Sequence, residues 1–192
     1  MEALAEPQVH LWTRDEYYKM AGVGLFQGKH VELIEGRIIE MSPMGSLHAT
    51  AVALVGRALE RAFGQGYFAR WQMPLDAGEY SEPEPDISII LGDVRDFRDS
   101  HPKTAILIVE VAETSLTYDR IEKSGLYARL GISDYWLLNL IDRQLEVHRE
   151  PVADASQPLG FRYAQVMILR PAAQISPLAK PDISIRVDDL LP

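Results

Sequence analysis

The sequence predicts an α/β domain: a mixed central β-sheet flanked by helices, with antiparallel hairpin additions. Three observations predict it. The apolar runs ISIIL (87–91), ILIVEV (106–111) and YWLLNL (135–140) have strand length and are continuous enough to be buried on both faces. Capped or amphipathic stretches of helical length lie before and after these runs. Paired runs separated by two or three residues read as hairpins, at Glu35-Gly36 and at residues 141–143.

The elements follow in chain order. Thr13-Arg14-Asp15-Glu16 is a capping-box pattern, which predicts a short helix over 14–21. HVELIEGRIIEMS then predicts strands near 30–34 and 37–41 around Glu35-Gly36. The turn at 43–46 opens a helix over 46–64, ended by Gly64 and Gly66. Residues 67–73 read as a strand, DAGEYSEPEP as an acidic loop, and ISIIL as the next strand. Residues 92–104 are polar and hold Arg95, Arg98 and Lys103; the run from Ile106 is again a strand. A helix over 119–130 ends at Gly131, strands at 134–140 and 144–149 make a hairpin, 151–160 is loop and 161–170 is strand. The end of the chain, 171–192, is Pro-rich with one short strand in DISIRV. No internal repeat is present, so 1–192 reads as one domain, with 1–11 an arm and 171–192 a tail.

Composition narrows the function. With 47% hydrophobic and 24% charged residues, the 192-residue chain can build a core and is not disordered. The absence of cysteine excludes disulfides and thiolate metal sites. No basic-then-apolar leader opens MEALAEPQVHLW, and no run approaches the roughly 18 apolar residues of a membrane span, so a cytoplasmic protein with no membrane partner is expected. A net charge of −9 excludes nucleic-acid binding through the overall field. A nucleic-acid partner needs a local basic groove, and a concentrated acidic cluster points to a cation.

Three acids stand where acids are expensive. Glu110 interrupts a buried strand, Asp86 follows Pro85 directly before ISIIL, and Glu32 lies in the apolar pattern HVELIEG. A buried carboxylate costs several kcal/mol unless it is paired, protonated or bound to a cation. Singly, each reads more readily as a sheet-end acid facing solvent or arginine, or as a Pro-Asp turn. Together, converging carboxylates call for a hard divalent ion such as Mg²⁺ or Mn²⁺.

Pro85-Asp86, a strand, and then Glu110-Val111-Ala112 resemble the PD-(D/E)xK nuclease superfamily. Within it, HVELIEGRIIEMSPMGSLH, EPEPDISII, ILIVEVAETSLTYDR, EKSGLYARLGISDYWLLN and LEVHR resemble the Uma-type restriction-endonuclease family, a large bacterial group labelled as a domain of unknown function. The likeness runs from about residue 12 to 150 and more weakly to the end. It implies a restriction-endonuclease-like core, with Asp86 and Glu110 as ligands of Mg or Mn, the Val111 backbone carbonyl as a third and Glu32 as the early acid that completes the site. It implies hydrolysis of phosphodiester bonds, of DNA, and, by analogy, a homodimer whose two sites address two strands.

One position departs from the superfamily pattern. Two residues after Glu110, on the same face of the strand, a lysine is expected and Ala112 stands instead. Lys123, matching an EK-x-x-x-Y pattern of the family, is similar to a migrated catalytic lysine; the alternative is an exposed lysine paired with Asp119. His48, at the start of a helix, and Gln72 are accessory candidates, each with a structural alternative. Tyr127, four residues after Lys123, reads as packing, and Tyr135–Leu138 as core. Arg57, Arg61, Arg70, Arg95, Arg98, Lys103 and Arg120 are candidate nucleic-acid contacts or solvated surface. Two other functions stay open: a catalytically inactive binding module of nuclease fold, and a hydrolase of RNA or another phosphate-bearing substrate.

Overall fold

The structure is a computed structural model that describes residues 8–192; of the expected arm at 1–11, residues 1–7 lie outside the described residues. The chain divides into two compact units, Met1–Pro43 with Ala77–Pro83, and Met44–Asp76 with Glu84–Pro192.

In the first unit, helix α1 (Arg14–Gly22) starts at the predicted capping box: the Glu16 amide donates to Thr13 Oγ1 and the Thr13 amide to Glu16 Oε2. Strands β1 (Val31–Ile34) and β2 (Arg37–Glu40) form an antiparallel hairpin. Its two-residue turn puts both Glu35 and Gly36 at positive φ, 51° and 69°, the primed geometry that matches strand twist. Glu82 is buried here, bonded by the Tyr18 hydroxyl and by Arg14 Nε at 3.1 Å.

The second unit holds a six-stranded sheet in the order β3-β4-β5-β6-β7-β8. Its strands are β3 (Tyr67–Trp71), β4 (Ile87–Leu91), β5 (Leu107–Ala112), β6 (Asp134–Asn139), β7 (Gln144–Ala153) and β8 (Phe161–Leu169). All neighbours are antiparallel except β5 and β6, so the mixed sheet with antiparallel hairpins is as expected. A parallel pair needs a long crossover, and residues 113–133 supply it with helices.

Side chains alternate along the strands, which divides the core in two. Helix α2 (Ser46–Phe63) lays Val52, Val55 and Leu59 on the face carrying Ile87, Val109, Val111, Trp136 and Leu138. The other face carries Ile108, Ala112, Tyr135 and Leu137 and meets Tyr127 and Ala128 of α4 (Ser124–Arg129). Glu110 shares that second face with Ile108 and Ala112.

Several elements differ from expectation. The crossover helix begins at Leu116 as α3 (Leu116–Tyr118), not at Asp119, and Asp119–Lys123 is a π-helical turn. Residues Val94–Phe97 form a 3-10 turn within the polar stretch. Strand β7 runs through Pro151 to Ala153, where loop was expected; beyond Arg149 it pairs with β8 alone, and a sheet edge tolerates a proline. The C-terminal stretch forms β9 (Gln174–Ile175), β10 (Ile185–Arg186) and a 3-10 turn over Val187–Leu190. Its Ile175, Ile185, Val187, Leu190 and Leu191 belong to the same core cluster as α2.

Candidate active site

The site begins where the β4–β5 ladder stops. Its last pair sets Ile87 opposite Val109, which puts Asp86 across from Glu110 one step further on. There side chains take over the ladder: the Val111 amide donates to Asp86 Oδ2 at 2.8 Å, and the Asp86 amide donates to Glu110 Oε2 at 3.2 Å. Pro85 has no amide to offer, which helps the strand leave the sheet here. On the other side, the Gln72 amide donates to the carbonyls of Pro85 and Asp86, at 3.1 and 3.2 Å. Gln72 holds φ at 49°, a costly left-handed conformation for a residue with a side chain. The same residue then aims its Nε2 at Asp86 Oδ1, at 3.2 Å.

The cation comes from the crossover helix. Lys123 is only 1% exposed, and its Nζ donates to Glu110 Oε1 at 3.1 Å. It closes the π-helical turn, in which the Ser124 amide reaches back to the Asp119 carbonyl. Such turns recur at functional sites because one added residue redirects the side chains around it. Lys123 is therefore not the exposed surface lysine of the alternative reading. The Tyr127 hydroxyl donates to the same Glu110 oxygen at 2.6 Å. Asp119 is buried too; Ser115 Oγ donates to its carboxylate at 2.5 Å and the Tyr135 hydroxyl to its carbonyl at 3.2 Å.

His48, in the first turn of α2, places Nε2 3.0 Å from Asp86 Oδ1. Burial opposes charge on this imidazole, but the hydrogen bond and charge of Asp86, aided by Glu113 and Asp119, outweigh it and raise its pKa. Burial likewise opposes ionisation of Asp86, yet His48, the Val111 amide and the Lys123 charge together lower the pKa below the usual range. The pocket thus favours the charged form of the Asp86 carboxylate.

The remaining candidates are placed as follows. Glu32 is buried in β1 of the first unit. Arg70 is buried in β3, where it donates to the Pro74 carbonyl and meets His101 Nδ1 at 3.2 Å. Arg120 grips Glu146 with two bonds, at 2.9 and 2.5 Å. Arg95 and Arg98 are exposed and lie within 3.8 and 2.9 Å of Asp93 and Asp99. Arg57, Arg61 and Lys103 are exposed. Sequence reasoning took Tyr127 as packing and gave Asp119 no part of its own; the i, i+4 spacing of Lys123 and Tyr127 was the one available signal.

Asp86 and Glu110 fit a hard divalent cation by donor chemistry. Mg²⁺ is commonly held by one or two carboxylates with the rest of its shell water. Among the described residues no three His, Asp or Glu side chains stand close enough to share an ion, so the protein's part of such a shell is small. Also among the described residues, no helix is long and apolar enough to cross a membrane.

A mixed sheet with one acid directly before a strand, another inside its neighbour and a helix-borne lysine on the second fits the restriction-endonuclease-like class of folds. The chain belongs to the Uma2 family, described as "Putative restriction endonuclease", whose model matches residues 14–188. It is also similar to the crystal structure of a "putative nuclease belonging to DUF820" from Anabaena variabilis. That likeness has a TM-score of 0.68 at 14% identity and covers 93% of this chain and 96% of that one, which establishes the fold alone. No curated protein matches the chain.

Proposed function

We propose that the chain is a divalent-cation-dependent endonuclease that hydrolyses phosphodiester bonds of DNA. One observation carries this reading: Asp86, directly before β4, meets Glu110 of the neighbouring β5, with Lys123 hydrogen-bonded to Glu110. Asp86 and Glu110 would hold Mg or Mn. The Val111 carbonyl and Glu32 enter on the resemblance alone. When bound, the ion supplies positive charge that makes water more acidic and offsets charge gathering on the phosphate.

The side chains do the rest. Lys123 would orient the attacking water and stabilise negative charge in a site from which solvent is largely excluded. His48 and Gln72 fix the Asp86 carboxylate through Oδ1, and the Val111 amide fixes it through Oδ2. Arg57, Arg61, Arg95 and Arg98 remain as exposed candidate arginines for contact with the nucleic-acid backbone. A homodimer would let two such sites address two strands.

A second reading has its own support. Lys123 and His48 already hydrogen-bond to Glu110 and Asp86, which offsets part of the acids' charge without an ion. A catalytically inactive binding module fits that arrangement.

Thermal melting in a Mn²⁺ titration, together with a plasmid-nicking assay, separates the two. The endonuclease reading expects the midpoint to rise with Mn²⁺ in the wild type and not in Asp86→Ala. It also expects plasmid nicking that Glu110→Ala and Lys123→Ala abolish, with Glu32→Gln assayed alongside. Equal cutting by all variants marks a contaminant; cation binding without cutting leaves the inactive module. Preference for RNA over duplex DNA in the same assay would change the substrate and keep the site.

A further inference from the structure

The two oxygens of Glu110 are held from different directions. Oε2 accepts the Asp86 amide, from the strand side. Oε1 accepts both Lys123 Nζ, at 3.1 Å, and the Tyr127 hydroxyl, at 2.6 Å. These two donors are not alike. An ammonium on a four-carbon stem carries three protons and turns freely among acceptors. A phenol has one proton on a rigid ring. The Tyr127 ring is 0% exposed and lies 5.2 Å from the ring of Tyr135, itself anchored through its hydroxyl to the Asp119 carbonyl.

We propose that Tyr127 is a positioning residue for the cation site: its hydroxyl fixes the Glu110 carboxylate, so that Lys123 is not needed to hold it. This deepens the endonuclease reading and rests on it. Lys123 can then turn its ammonium toward water or phosphate while Glu110 keeps its orientation toward Asp86. Without the phenol, every movement of the ammonium would loosen the hold on Oε1, while the Asp86 amide stays on Oε2. Groups that orient a metal-binding side chain in this way typically contribute tenfold or more to affinity.

The test is Mn²⁺ affinity, read from calorimetry and from the rise in melting midpoint, in full-length wild type, Tyr127→Phe and Tyr135→Phe. Tyr127→Phe removes one oxygen and keeps the ring. It should need about tenfold more Mn²⁺ than wild type for the same occupancy. Tyr135→Phe removes a neighbouring buried hydroxyl that does not touch Glu110, and should bind as wild type does. Tyr127→Met, with an adaptable side chain, serves as a second variant and should weaken binding in the same direction. Melting without Mn²⁺ shows which variants are folded. Unchanged affinity in folded Tyr127→Phe or Tyr127→Met overturns the assignment and leaves the cation site standing. Equal weakening by Tyr135→Phe overturns it as well, by making the effect one of general loosening. A wild type that does not respond to Mn²⁺ overturns the underlying metal reading, and this assignment with it.

Discussion

His148 shows how a single buried group sets a pH limit on the fold. It lies on β7 with the rings of Tyr135 and Tyr163 at 5.2 and 5.7 Å, and its Nε2 has no hydrogen-bond partner among the described residues. Burial pushes its pKa down to about 4; Glu146 opposes this and Arg120 assists it. The folded state therefore keeps the imidazole neutral, while the unfolded chain takes up a proton near pH 6.5. Between those values the unfolded state binds more protons, so stability is lost as pH falls from about 6.5 to about 4, at up to about 1.4 kcal/mol per pH unit. In urea unfolding the wild type should lose on the order of 3 kcal/mol more across that window than His148→Phe, which has no proton to gain. A pH-independent difference between the two would refute the account. Nothing in LEVHR hints at this group, because the stretch carries no mark of the two tyrosines that close over it. By contrast, Asp86 and Glu110 stood out, since a carboxylate inside an apolar strand or directly before one needs an explanation at once.

Elements were legible where the signal is local and obscure where it is tertiary. The capping box at Thr13, the turn at Glu35-Gly36 and the end of α2 at Gly64 came directly from residue chemistry. The π-helical turn at Asp119–Lys123 did not, because the bond that goes with it joins Lys123 to Glu110 on another element. Gly56 is a similar case. In the middle of α2 it looks like a defect, since alanine is favoured there by about 1 kcal/mol. The fold explains it: a Cβ at Gly56 would lie 2.0 Å from Trp71 Cη2. The glycine lets helix and sheet approach, and Trp71 is followed directly by the strained Gln72 that contacts Asp86. Gly56→Ala should therefore destabilise the protein by about 1–3 kcal/mol despite its better propensity, because the indole has to move. Chemical denaturation measures it; a stabilised variant would show that the helix relaxes away at no cost.

At the scale of the whole molecule, charge is the constraint on any DNA-binding role. The chain carries −9 overall. Of its candidate phosphate contacts, Arg70 is buried, Arg120 is bonded to Glu146, and Arg95 and Arg98 have acids beside them. Arg57 and Arg61 line a groove of about 630 Å³ that also holds Asp188 and Asp189. Few cations can thus neutralise phosphate without first leaving an acid. Each phosphate neutralised on duplex DNA adds about 0.9 to the slope of log affinity against log salt. A protein limited to about four such contacts should show a slope no steeper than about −4, hence less than about a 300-fold loss of affinity between about 50 and about 200 mM salt. Fluorescence anisotropy with a labelled duplex measures this directly, with Ca²⁺ in place of Mn²⁺ to keep the duplex intact. A divalent ion between Asp86 and Glu110 would itself attract phosphate, so the affinity should depend more on the cation and on Asp86 than on ionic strength. A slope steeper than about −6 would demand a basic surface that these arginines do not provide, and a second copy of the chain would then have to build it.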